Sequence, residues 1–160
     1  MKRFISVTFC LLFILMFAIT VHADGYAWGK TKWGMSPEQV SKVLGKKLIF
    51  DKKNDNGEDV YILKGYKIGE FQYDVRMIFN VKKMNMVMVM GVGNSEIKEK
   101  ACADMASSLK ERLGHGRVSA VGNAVSREWN TPETYISLMC FPDNTWLSYK
   151  KKPKPGASKF

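Results

Sequence analysis

From Phe71 to Val81 apolar and polar residues alternate: Phe71, Tyr73, Val75, Met77, Phe79 and Val81 fall on one side, Gln72, Asp74, Arg76 and Asn80 on the other. A period of two over that length predicts a strand with six residues on a core and a polar side in water, the pattern of an antiparallel sheet. Similar stretches flank it. Leu48-Ile49-Phe50 and Val60-Tyr61-Ile62-Leu63 read as strands, with a polar loop over 51–59 and a turn from Gly65 to Gly69. Lys82-Lys83 turn the chain back through Met84 to Val92, a strand apolar on both faces and therefore expected to be central or covered. Further on, Val125 to Trp129, Tyr135 to Phe141 and Trp146 to Tyr149, separated by turns at 130–133 and 142–144, form a three-strand meander. The loop over 51–59 has some look of a calcium loop. With Gly57 at the sixth position, however, Lys52 would be the first ligand and Leu63 the twelfth, so it is not one.

Two stretches change to a helical period. In Trp33-Gly34-Met35-Ser36-Pro37-Glu38-Gln39-Val40, Ser36 has the side-chain oxygen wanted at an N-cap and Pro37 presets φ at the first helical position. Gln39 completes a capping box, and Met35 with Val40 forms a hydrophobic staple. Val43 and Leu44 extend the apolar face, and Gly45 ends the helix. Ser95 is expected to cap a second, longer helix with Glu96 and Glu99 in its first turn, where they complement the helix dipole. Ile97, Ala101, Cys102, Met105, Leu109 and Leu113 share one face of it, which ends before Gly114.

The Leu44-Gly45 ending recurs at Leu113-Gly114, and each is followed by strands. The expected fold is α+β: two αβββ repeats, about 33–93 and 94–150, forming one antiparallel sheet with both helices on one face, within a single domain over 24–150. Neither half buries enough surface to stand alone. The stretch Gly34-Met35-Ser36-Pro37-Glu38-Gln39-Val40 and the following Leu44-Gly45 resemble the helix opener of small secreted proteins of the beta-lactamase-inhibitor-protein-like group. That group includes outer-membrane assembly lipoproteins of the SmpA/BamE type. The resemblance covers about a dozen residues and the order of elements, and departs from the group at Lys47, where a proline is expected, and in lacking a lipidation cysteine. It implies a scaffold that binds other proteins with the exposed face of its sheet.

The N-terminal residues have a different character. Lys2-Arg3, the apolar run from Phe9 to Ile19 and Val21-His22-Ala23 match the charged, apolar and cleavage regions of a secretory signal peptide over 1–23. Cys10 lies inside the apolar run and is misplaced for lipidation. The alternative is an uncleaved membrane anchor, for which the apolar run is short; cleavage after Ala23 would leave no span and send the protein to the periplasm or outside the cell. In such an oxidising compartment Cys102 and Cys140 are expected to pair as a helix-to-sheet staple, the alternative being two buried thiols.

Loss of Lys2 and Arg3 takes the formal net charge from +10 to +8. A basic surface suits anionic lipid head groups, cell-wall polymers or an acidic partner protein; evenly spread lysines suit an ordinary solvated surface equally well. Nucleic acid is not expected in that compartment. Lys150, Lys151, Lys152 and Lys154, interleaved with Pro153 and Pro155, read as a basic disordered tail over 151–160.

Candidate chemistry is sparse. Met84, Met86, Met88 and Met90 place four thioethers on one face of a strand, a Cu(I)-like set, but Val87 and Val89 make the whole strand apolar and no histidine lies nearby, so a methionine-lined core is expected. His115, the only histidine after processing, sits in a Gly-His-Gly turn. No nucleophile motif, phosphate loop or zinc spacing is present, which points to a non-enzymatic protein without a cofactor. Two kinds of function remain. One is a protein-binding module using Trp129, Tyr135 and Trp146, with Trp28 and Trp33 as further anchors unless they pack on the core. The other is binding of anionic envelope polymers or lipids through Lys150, Lys151 and Lys152.

Overall fold

Eight strands form one antiparallel sheet, in the order β1 (Ile49–Lys53), β2 (Asp59–Ile68), β3 (Phe71–Asn80), β4 (Lys83–Gly91), β8 (Thr145–Lys151), β7 (Thr134–Cys140), β6 (Ala124–Asn130), β5 (Arg117–Val121). The computed structural model describes residues 27–153; the expected leader over 1–23 and the tail residues 154–160 lie outside the described residues. In chain order the elements are α1 (Pro37–Leu44), β1 (Ile49–Lys53), β2 (Asp59–Ile68), β3 (Phe71–Asn80), β4 (Lys83–Gly91), α2 (Ser95–Leu113), β5 (Arg117–Val121), β6 (Ala124–Asn130), β7 (Thr134–Cys140) and β8 (Thr145–Lys151). Each helix is thus followed by four strands rather than three. The strand not foreseen is β5, whose five residues are all exposed at the sheet edge. Nothing buries either of its sides, so it carries no alternation to read.

Local chemistry explains both helix starts. Ser36 and Gln39 make the reciprocal capping box of α1, with Pro37 at the start, and Gly45 closes the helix at φ 63°. Val40 is fully buried beneath it. The cap of α2 is Asn94, not Ser95: its side-chain oxygen accepts from the Ile97 amide at 3.0 Å. Ala101, Cys102, Met105 and Leu109 bury one stripe of α2, while Ile97 and Leu113, near the two ends of the helix, stay exposed.

Strand β4 lies between β3 and β8, the interior position its two apolar faces require. The row Leu63, Val75, Val89, Leu147 and Leu138 crosses five strands on one side and joins Val40, Met105 and Leu109 in a single hydrophobic cluster. Three features depart from expectation. Strand β2 runs on through Gly65 to Ile68 with a register shift after Leu63, so only Gly69-Glu70 turn the chain. Val81 is not a core residue: with Lys82 it forms the two-residue link to β4, at φ 47° and 58°, and is 86% exposed. Hairpins of that length need positive φ at both turn residues to match the twist of their strands. Finally, pairing shifts by one residue at Asn85, so that Phe79 faces Met84 but Ile78 faces Met86. This bulge sends Met84 into the core, 1% exposed, and leaves Met86, Met88 and Met90 on the opposite side. The four thioethers therefore do not share a face.

Cys102 of α2 and Cys140 of β7 form a disulfide with Cα atoms 6.0 Å apart. Among the described residues no helix is long and apolar enough to cross a membrane.

Candidate functional site

Two surfaces follow from the register. On the side of the sheet away from the core cluster, cross-strand neighbours run Met90, Trp146, Met139 and Ser126 in one row, Ile62, Arg76, Met88 and Ser148 in the next, and Ile78, Met86, Lys150 and Tyr135 in a third. Met86, Met88, Met90 and Met139 are half-buried by their neighbours; Trp146 and Tyr135 are 39% and 36% exposed. Tyr135 lies near Glu128, whose carboxylate accepts from its hydroxyl and holds the Tyr135 pKa above the ordinary tyrosine value.

Polar groups at the margin of this side are unevenly satisfied. Asn54 and Asn85 donate to the Glu58 carboxylate, the latter at 2.7 Å, and these hydrogen bonds draw its pKa below the usual range. Arg76 Nε and Asn85 Oδ1 are buried with no hydrogen-bond partner among the described residues. Buried groups left unpaired in this way are uncommon and weaken the fold unless something completes them.

On the core side, a cavity of about 630 Å³ opens between α2 and the lead-in segment. Tyr73, Val89, Leu147, Ile136 and Tyr149 line it from four adjacent strands; Met105 and Leu109 line it from α2; Trp28 contributes from the lead-in, edge-on to Tyr66 with ring centroids 5.2 Å apart. The turn of residues 131–134 is part of the lining. Burial, then the charge of Asp104, pushes Tyr73 up to about 12. Burial also raises the Tyr149 pKa, and Arg112 opposes that rise.

The aromatic anchors proposed from sequence divide. Tyr135 and Trp146 come together with Lys150 on the core-free side. The other three are tied into the fold: Trp28 and Trp33 take the alternative of packing on the core, and Trp129, read from sequence as a docking anchor, is buried. Trp129 is 5% exposed and its indole N–H donates to Gly114 O at 2.9 Å. Trp33 packs against the core and donates to Thr134 Oγ1 at 2.9 Å. Trp28 is 8% exposed, belongs to the core cluster and forms part of the cavity wall. Its turn is held by Thr31, which donates to Trp28 O and accepts from Trp28 N.

The basic cluster is also split. Strand β8 is internal and runs to Lys151, so Lys150 and Lys151 are strand residues rather than tail, and the Lys152 ammonium donates to Thr131 O. His115 lies in an exposed link between α2 and β5. The only sequence signal of the cavity is Asp104, Ser108 and Arg112 at intervals of four beside the apolar stripe of α2, with Tyr73 and Tyr149 on core-facing sides of their strands. Among the described residues no group of three His, Cys, Asp or Glu side chains could hold a metal.

The fold and its surfaces thus define an α+β protein built on one eight-stranded antiparallel sheet. Comparison with protein families, with curated proteins and with solved structures finds no match to this chain.

Proposed function

We propose that the protein is an extracytoplasmic, non-enzymatic binding module that holds an envelope protein against the side of its sheet away from the core cluster. The observation that carries this reading is the adjacency of Met86, Met88 and Met90 with Trp146, Met139 and Tyr135, an apolar centre that β4, β8 and β7 assemble on one side. Methionine and exposed aromatics suit an adaptable interface core. Lys150 beside Tyr135 favours a partner with an acidic rim around an apolar patch.

The leader over 1–23, with cleavage after Ala23 and export to the periplasm or beyond, belongs to the same proposal and is supported by the Cys102–Cys140 disulfide. So does descent of the two halves from one helix-plus-strands unit, both helices lying on one face. Support for that comes from the repeated element order and from the common cluster of Val40 with the buried stripe of α2. The resemblance to the beta-lactamase-inhibitor-protein-like group fits such a scaffold.

The test is a pull-down from envelope extract with the chain from Asp24, at low and high salt, alongside a Trp146→Ala/Tyr135→Ala variant. A partner retained at high salt and lost with the double variant is the expected result. Retention only at low salt, unchanged in the double variant and lost on removing residues 154–160, would replace this reading with binding of anionic lipid or polymer.

A further inference from the structure

We propose that the core-side cavity binds a short apolar peptide with free termini, three or four residues long, its ammonium group at Asp104 and its carboxylate at Arg112. This site lies on the other side of the sheet from the proposed protein-binding surface and does not depend on it. The cavity, at about 630 Å³, has the size of an ordinary small-ligand pocket and a predominantly apolar lining. Its polar groups are not scattered. Asp104 and Arg112 line the cavity from α2, and Tyr73 and Tyr149 line it from the sheet. Ser108 stands between Asp104 and Arg112 on α2.

Asp104 and Arg112 are eight positions apart, about 12 Å along a helix. An extended chain covers at most about 3.3–3.6 Å per residue, so three or four residues reach from one charge to the other. Neither group enters an ion pair: the salt bridges among the described residues are Lys53–Asp59 and Lys100–Glu96. The remaining charged residues of the lining, Lys67 and Glu133, cancel. A ligand with both an ammonium and a carboxylate therefore matches the wall, whereas a fatty acid would meet Arg112 and leave Asp104 opposed to nothing. Trp28, Tyr66 and the aliphatic floor suit apolar side chains between the termini.

The experiment uses the chain from Asp24 to Phe160 and the tripeptide leucyl-phenylalanyl-leucine, with its N-acetyl, C-amide and doubly blocked forms, and decanoate as the competing amphiphile. Binding is followed by tryptophan fluorescence and calorimetry. Saturable binding of the free tripeptide is expected, weakened about tenfold by blocking either end, since each charged hydrogen bond is lost separately. Arg112→Gln should weaken the free acid and leave the amide unchanged; Asp104→Asn should weaken the free amine and leave the N-acetyl form unchanged. Both side chains are exposed, so both variants should unfold at the temperature of the parent. Absence of saturable tripeptide binding at millimolar concentration, equal binding of free and doubly blocked peptide, or preference for decanoate would each overturn the proposal.

Discussion

Removing the Cys102–Cys140 bond should cost this protein a large share of its stability. The cysteines are 38 residues apart in sequence, and their Cα atoms stand 6.0 Å apart, inside the range a disulfide bridges without backbone movement. Closing a loop of that length lowers the entropy of the unfolded chain by about 4 kcal/mol at room temperature in the loop-entropy description. Domains of this size are stable by about 5–15 kcal/mol in total. With a urea m-value near 2 kcal/mol/M, the unfolding midpoint should fall by about 2 M on reduction. The loss should be uneven, because the bond closes over the second half of α2 and over β5 to β7, and β5 is an edge strand with no buried residue. Paired urea titrations of oxidised and reduced protein, read by tryptophan fluorescence, measure the total, and hydrogen exchange locates it in β5 and β6. Coincident midpoints, or two alkylatable thiols in non-reduced exported protein, would refute the staple.

Three further outcomes are expected. Val81 and Lys82 hold positive φ without glycine, a strain of about 1–3 kcal/mol per residue, so Val81→Asn with Lys82→Gly should stabilise the β3–β4 hairpin by about 1 kcal/mol in urea unfolding. A methyl group at Gly116 would stand 2.7 Å from the Trp129 ring and 2.9 Å from Glu128 O; Gly116→Ala should therefore destabilise by about 1–3 kcal/mol and red-shift tryptophan emission as Trp129 is displaced. The Tyr73 phenol ionises at about 12 in the folded chain against an ordinary 10.0, so its contribution is intact below pH 10 and is lost as pH rises from there through 12. Tyr73→Phe should flatten that alkaline slope in a pH series of thermal unfolding, with tyrosinate absorbance losing its latest-titrating component.

The features legible in the chain are those whose causes lie within a few residues of their effects. The Ser36–Gln39 capping box spans one turn, so Ser36, Pro37 and Gln39 suffice to announce α1. Alternation from Phe71 to Phe79 records which side of β3 is buried, because side chains change sides at every residue. Cys102 on an apolar helix face and Cys140 on an apolar strand face made a helix-to-sheet staple the natural expectation, since both had to meet the same core. Where local rule met a long-range partner, the partner prevailed. Arg117 to Val121 became β5 only by pairing with β6, and the bulge at Asn85 exists only in the register of β4 against β3. The tryptophans looked alike in sequence, yet Trp33 found Thr134, 101 residues away, while Trp146 remained exposed. Joining β4 to β8 placed Tyr73 and Tyr149 under one helix beside Asp104 and Arg112 and made the cavity. Periodicity states which side of an element is apolar; which elements meet across that side is a matter of packing between distant segments, and no short window of residues contains it.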